Sequence, residues 1–86
     1  MEKTALITGG SRGIGFGIAI EMAKAGFDLA INGVRDQKFV QPILDGLKMF
    51  GIEVLYVQGD ISKKEDREKI FQTVISEFGQ LNALIN

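Results

Sequence analysis

The chain has 86 residues, of which 45% are hydrophobic and 24% are charged. This mixture is typical of a globular protein and argues against disorder or a fibrous repeat. The net charge of −1 provides no basic face for nucleic acid, and charged residues interrupt every apolar run well short of a membrane span. The sequence has no cysteine and no histidine, so we expect no disulfide and no metal site, and the missing cysteines fit a cytoplasmic protein.

The first part of the chain alternates short apolar runs with a segment of helical period. The continuous apolar centre of residues 4–8 predicts a strand that is buried on both faces. Residues 14–25 carry apolar side chains at every fourth position, which predicts a helix, and Gly26 predicts its end. Residues 27–32 form the next apolar run and predict a second strand.

The middle of the chain repeats this alternation. Pro42 suits the first turn of a second helix, which Gly51 ends. Its apolar stripe has the spacing i, i+3, i+4, i+7 and consists of Val40, Ile43, Leu44 and Leu47. Residues 54–57 predict a third strand. We expect Met22, Met49 and the phenylalanines at helical spacing to lie in the core.

A third helix and a fourth strand complete the pattern. Ser62 and Glu65 have the spacing of a capping box ahead of a long helix that Gly79 ends. Residues 83–85 begin a fourth strand. The order β-α-β-α-β-α-β predicts an α/β fold, with a doubly wound parallel sheet and right-handed crossovers. Because the chain stops on a strand, we expect residues 1–86 to be the N-terminal part of one larger domain.

The most informative segment is the glycine-rich turn over residues 8–15, between the first strand and the first helix. Glycines permit the tight turn and the close approach of a ligand's phosphates to the backbone. The free N–H groups and the positive dipole end of the following helix point to the same place. The turn therefore predicts a site for a pyrophosphate.

Two common nucleotide motifs do not fit this turn. A mononucleotide P-loop would need lysine where Phe16 stands, which disfavours an ATPase or GTPase. The Gly-x-Gly-x-x-Gly fingerprint would need glycine where Ile18 stands. The pattern present is Thr-Gly-x-x-x-Gly-x-Gly, from Thr8 to Gly15.

This pattern resembles the cofactor motif of the short-chain dehydrogenase/reductase family. Residues 59–62 resemble the family's Asp-hydrophobic step after the third strand, and residues 84–86 resemble the start of its Asn-Asn-Ala-Gly motif. The three segments occur in the family's order, and the likeness is strongest to 3-oxoacyl-(acyl-carrier-protein) reductases. The resemblance implies a Rossmann fold, a dinucleotide cofactor, a small carbonyl or alcohol substrate, and a homo-oligomer. The cofactor-binding residues it implies are Gly9, Ser11, Arg12, Gly13, Ile14, Gly15, Arg35, Asp60, Ile61 and Asn86.

The choice between NADP(H) and NAD(H) depends on the end of the second strand. NAD-dependent folds place a carboxylate there to bind the ribose 2′-hydroxyl, and the count from Gly15 brings that position to Gly33. Arg12 and Arg35 lie near the positions of basic residues in NADP-using family members, and arginine binds phosphate in a bidentate manner. These features favour NADP(H), although Asp36 adjoins Arg35.

Each of these residues also has a purely structural interpretation. The glycines can form a tight turn, Ser11 can cap the first helix, and either arginine can be a solvated surface charge. Asp60 can be an ordinary turn residue and Asn86 a strand-end residue.

The resemblance implies a catalytic Tyr-x-x-x-Lys pair that this chain lacks. Tyr56 is the only tyrosine, and Asp60 stands four residues later, so we assign Tyr56 to packing and expect no catalytic residue in the chain. The leading hypothesis is that the chain is the cofactor-binding part of an NADP(H)-dependent oxidoreductase. The alternative is a non-catalytic nucleotide-binding module.

Overall fold

Four parallel strands form the central sheet of the computed structural model, which describes residues 3–86. The strands are β1 (Thr4–Thr8), β2 (Asp28–Gly33), β3 (Val54–Gln58) and β4 (Ala83–Ile85). Their order in the sheet is β3-β2-β1-β4, and each neighbouring pair is parallel. The parallel α/β fold class predicted from the sequence is confirmed.

Three helices connect the strands: α1 (Gly13–Lys24), α2 (Gln41–Lys48) and α3 (Lys64–Phe78). Their bounds differ from the predicted ones by a few residues, as is usual for helix ends. A short 3-10 turn over Gln37–Phe39 precedes α2 and was not predicted. No helix within residues 3–86 is long and apolar enough to span a bilayer.

The sheet is covered on both faces, because successive side chains of a strand point to opposite sides. On one face, buried residues of α1 and α2 pack against those of the sheet in one cluster: Ala5, Ile7, Ala19, Ala23, Leu29, Ile31, Val40, Leu44, Leu47 and Tyr56. On the other face, α3 packs on a second cluster: Leu6, Ala30, Val57, Ile70 and Val74. The uninterrupted apolar runs of β1 and β2 follow from this double coverage.

Part of the predicted core is wrong. The side chain of Met49 is 86% exposed, that of Phe39 is 63% exposed and that of Phe50 is 43% exposed. Helix α2 ends at Lys48, so Met49 and Phe50 follow it, and Phe39 lies in the 3-10 turn before it. None of the three therefore continues the buried stripe of α2.

The predicted capping box before α3 is also wrong. Lys63 is the N-cap residue, and its side chain makes no capping bond. The Ser62 hydroxyl instead donates to Asp60 Oδ1 at 2.6 Å. Because Lys63 occupies the N-cap position, Ser62 lies one residue too early for its oxygen to accept from the N–H groups of the first turn. Its proton goes to the Asp60 carboxylate, an ionised acceptor that makes short hydrogen bonds.

Candidate functional site

A cavity lies at the carboxyl ends of β1, β2 and β3, the edge at which open α/β sheets bind ligands. Its volume is about 430 Å³. The lining residues come from the turns that follow the three strands: Gly9, Ser11, Arg12, Asn32, Gly33, Val34, Arg35, Gly59, Asp60 and Ile61. Six of the ten predicted site residues are therefore brought together here: Gly9, Ser11, Arg12, Arg35, Asp60 and Ile61.

The turn after β1 depends on glycine at two positions of left-handed backbone. Gly9 has a φ of 67° and Gly13 a φ of 53°. A Cβ at either position would have no protein atom within 4 Å, so open space lies beside both. The Gly9 amide donates to the Asn32 carbonyl oxygen at 3.0 Å, which ties the turn to β2.

Gly15 is required for packing. A Cβ there would overlap the carbonyl oxygen of Gly9 and would lie 2.9 Å from its carbonyl carbon. The first turn of α1 thus rests directly against the glycine turn, with no room for a side chain between them. Gly15 supports the site by allowing this approach and does not line the cavity.

The N-terminus of α1 is suited to an anion. Arg12 is the N-cap residue, its side chain makes no capping bond, and the first turn contains no acidic residue. The N–H groups of this turn and the helix dipole consequently favour negative charge beside the turn. This is the arrangement that binds phosphate in other strand-turn-helix units.

Ser11 and Arg35 are in contact across the cavity. Arg35 Nη2 donates to Ser11 Oγ at 3.3 Å, and Ser11 is 6% exposed. The N-cap residue of α1 is Arg12 and not Ser11, which removes capping as a structural interpretation of Ser11. The Asp36 carboxylate, which adjoins Arg35 in sequence, has a structural partner: its Oδ1 accepts from the Lys38 amide at 3.2 Å within the 3-10 turn.

The backbone after β2 is held by residues of β3 and of the turn that follows it. The Gly33 carbonyl oxygen accepts from the Gly59 amide at 2.9 Å, and the Val34 carbonyl oxygen accepts from Gln58 Nε2 at 3.2 Å. The Arg35 carbonyl oxygen accepts from the Tyr56 hydroxyl at 2.6 Å. Three successive carbonyls are thus fixed, which sets the position from which the Arg35 side chain starts.

Two of the residues that shape the site were not predicted from the sequence. Asn32 is 3% exposed, and its Nδ2 donates to the carbonyl oxygens of Val57 at 2.9 Å and Gly59 at 3.1 Å. Tyr56 packs in the core as predicted, but its hydroxyl also makes the bond to Arg35. The sequence offered one signal for the role of Asn32, which is that a polar residue ends the apolar run of the second strand.

Asp60 lies on the β3 side of the cavity and is also a turn residue. Its Oδ1 accepts from the Ser62 amide at 3.0 Å and from the Ser62 hydroxyl at 2.6 Å. These two bonds to Ser62 lower the pKa of the Asp60 carboxyl, the hydroxyl bond having the larger effect. Its own amide donates to Asp66 Oδ2 at 2.8 Å, so both ends of the residue are oriented by neighbours.

The other predicted site residues lie outside the cavity lining. Ile14, in the first turn of α1, is 86% exposed. Asn86 follows β4, on the side of β1 away from β2, and its Oδ1 accepts from the Thr8 hydroxyl at 3.4 Å. Within residues 3–86 no group of three acidic side chains is placed to hold a metal ion.

The whole described chain matches a known family. A family model described as short chain dehydrogenase matches residues 3–86. A 3-oxoacyl-[acyl-carrier-protein] reductase of Staphylococcus epidermidis is 33% identical over 86 residues, which is 100% of this chain and 35% of the relative. The chain thus spans about a third of the length of the relatives it matches.

Solved structures of the same kind superpose closely. A 3-oxoacyl-[acyl-carrier protein] reductase from Brucella melitensis in complex with NAD has a TM-score of 0.92 and 34% identity, over 100% of this chain and 33% of that one. L-Sorbose reductase from Gluconobacter frateurii, complexed with NADPH and L-sorbose, has a TM-score of 0.91 and 35% identity, over 99% of this chain and 32% of that one. The two complexes hold different nicotinamide dinucleotides.

Proposed function

This chain belongs to the short-chain dehydrogenase family, and from that premise we propose that it supplies the adenosine and pyrophosphate half of an NADP(H) site in an oxidoreductase. The observation that carries the proposal is the cavity at the carboxyl ends of β1, β2 and β3. Two arginines line this cavity, and the residue that ends β2 is a glycine and not a carboxylate. The relatives support an oxidoreductase that interconverts a carbonyl and an alcohol.

The residues of the cavity fit the parts of the dinucleotide in order along the sheet edge. The open backbone at Gly9 and Gly13, together with the N-terminus of α1, would receive the pyrophosphate. Asp60 and Ile61, on the β3 side, would hold the adenine. When bound, the cofactor supplies the hydride chemistry, and the protein supplies position and electrostatics.

We propose NADP(H) rather than NAD(H) because of the charged side chains where the adenosine ribose would lie. Arg12 and Arg35 line the cavity, and Arg35 is oriented by its bond to Ser11. Gly33 offers no carboxylate, which would otherwise repel a 2′-phosphate. Asp36 is bonded to the Lys38 amide of its own turn and is not among the lining residues.

The reacting groups for this chemistry are proposed to lie outside these 86 residues. The cavity contains no side chain suited to general acid catalysis on a carbonyl, since its one titratable acid, Asp60, has a lowered pKa. Asn86, next to Thr8 at the end of β1, marks where the site would continue toward the nicotinamide. A 3-oxoacyl thioester is the proposed substrate class, from the relatives that the chain resembles.

Paired calorimetric titrations of the intact protein with NADPH and NADH test this proposal. We expect both to bind, NADPH more tightly by tenfold or more, which is the scale of one charge-assisted hydrogen bond at the 2′-phosphate (roughly 1.5–3 kcal/mol). Equal affinities would contradict the assignment of NADP(H), and no binding of either would contradict the site. Oxidation of NADPH on addition of a 3-oxoacyl thioester would distinguish an enzyme from a non-catalytic module.

A further inference from the structure

Tyr56 in β3 meets the Gly33 position at the end of β2. Tyr56 is opposite Ile31 in the strand register, and Gly33, two residues after Ile31, faces the same side of the sheet. The Tyr56 hydroxyl donates to the Arg35 carbonyl oxygen at 2.6 Å. A Cβ built at Gly33 would lie 2.8 Å from the Tyr56 hydroxyl oxygen, a distance that side chains do not tolerate.

Of the three atoms nearest to a Cβ built at position 33, only the Tyr56 hydroxyl oxygen lies too close. Gly33 is not among the glycines with positive φ, so its backbone admits other residues. The next atoms that a Cβ would meet are Ser11 Oγ at 3.4 Å and Tyr56 Cε1 at 3.5 Å. Both distances are ordinary van der Waals contacts, so removal of the hydroxyl oxygen would leave room for a Cβ at position 33.

The hydroxyl cannot move aside without loss. The Tyr56 ring is 9% exposed and belongs to the core cluster beneath α1 and α2. A shift of the phenol would lengthen its bond to Arg35 and leave a carbonyl without its donor. Burial raises the pKa of the Tyr56 phenol above its ordinary 10.0, so the group remains a donor at neutral pH.

We propose that the Tyr56 hydroxyl is a specificity-determining group, which keeps position 33 free of a side chain and thereby excludes a ribose-binding carboxylate from the cavity. The same hydroxyl fixes the backbone of Arg35, so Tyr56 is a positioning residue for the phosphate-binding side of the site. This inference rests on the proposed function for its cofactor, whereas its steric part rests only on the contacts of Gly33 and Tyr56.

A double-mutant cycle on stability tests the steric part. Gly33→Ala should lower the urea midpoint of the intact protein in the wild-type background and lower it markedly less in a Tyr56→Phe background. Gly46→Ala is the matched control, because a Cβ there meets nothing within 4 Å, and its effect should be the same in both backgrounds. An equal loss for Gly33→Ala in both backgrounds would overturn the proposal.

Titrations with NADPH and NADH test the specificity part. Tyr56→Phe alone should weaken NADPH about fivefold, the scale of one neutral hydrogen bond, and leave NADH nearly unchanged. Gly33→Asp combined with Tyr56→Phe should shift the affinity ratio toward NADH by tenfold or more, and Gly33→Asp alone should not. The same shift from Gly33→Asp alone would overturn the role of Tyr56.

The two experiments separate the failure of this inference from that of the proposed function. If the wild-type protein bound neither dinucleotide, the proposed function and the specificity role would both be overturned. The unfolding cycle would still decide whether the Tyr56 hydroxyl excludes a side chain from position 33, because it requires no cofactor.

Discussion

The Arg35 guanidinium donates a hydrogen bond of 3.3 Å to the Ser11 hydroxyl, and this bond joins the backbone after β2 to the glycine turn after β1. The two segments are separated by the whole of α1, and the parallel pairing of β1 with β2 brings their ends together. Two of the three β-α connections that line the cavity are thus joined by a side-chain contact. The positive charge of the cavity comes from one arginine in each of these two connections, Arg12 and Arg35, and Asp60 contributes a negative charge from the third.

Arg12→Ala should weaken NADPH far more than NADH. The Arg12 side chain is exposed and lines the cavity, and a charge-assisted bond to a 2′-phosphate contributes about 1.5–3 kcal/mol, or roughly ten- to a hundredfold in affinity. Calorimetric titration with both dinucleotides measures the effect. Lys38→Ala is the control, because Lys38 is an exposed cation outside the cavity lining. Equal losses for NADPH and NADH in Arg12→Ala would mean that the 2′-phosphate is held elsewhere.

Asn32→Ala should destabilise the fold by about 1–3 kcal/mol, the cost of leaving buried polar groups without partners. The Asn32 amide nitrogen is the side-chain donor to two carbonyl oxygens, those of Val57 and Gly59. Urea denaturation followed by circular dichroism measures the change. Gln72→Ala, on the exposed face of α3, should stay within about 0.5 kcal/mol of wild type. A similarly small effect for Asn32→Ala would show that the β2–β3 junction is held by its backbone alone.

The fold was predictable from the sequence because its signals are local. Four apolar runs separated by segments of helical period determine the parallel layered arrangement. The glycines of the turn after β1 needed no partner elsewhere in the chain to be recognised. Gly9 and Gly13 do adopt the left-handed backbone that glycine permits.

The roles of Asn32 and Tyr56 were not predictable, because they depend on strand register. Tyr56 reaches the Arg35 carbonyl only because it lies opposite Ile31 in the sheet. The capping box failed for a local reason, since α3 begins one residue later than predicted, with Lys63 as its N-cap, and the Ser62 hydroxyl donates to Asp60, two residues earlier. Met49 was misplaced in the core because Gly51 predicted the end of α2, which instead ends three residues earlier, at Lys48.

Ser62→Ala should raise the pKa of Asp60 toward its ordinary value of 3.8, because the hydroxyl bond from Ser62 is the main cause of the lowered pKa. A carboxyl whose pKa is depressed by folding contributes stability above its unfolded pKa, and that contribution is lost as pH falls through the folded value. The acid limb of the stability curve should therefore be shallower in the variant.

Carbon-detected NMR titration of the Asp60 carboxyl measures this change directly. Ser76→Ala, an exposed serine in α3, is the control and should leave the Asp60 titration unchanged. An unaltered Asp60 pKa in Ser62→Ala would show that the Ser62 hydroxyl does not orient this carboxylate.

The open backbone beside Gly13 is proposed to receive the dinucleotide, and an NADPH titration of Gly13→Val beside Gly26→Val tests this most directly. Both glycines have positive φ and open space around a Cβ, so both variants should lose about 1–2 kcal/mol of stability through backbone strain. Gly13 begins α1 next to the cavity, whereas Gly26 follows the other end of that helix. We predict that Gly13→Val abolishes NADPH binding and that Gly26→Val retains wild-type affinity. Wild-type affinity in a folded Gly13→Val protein would contradict the account.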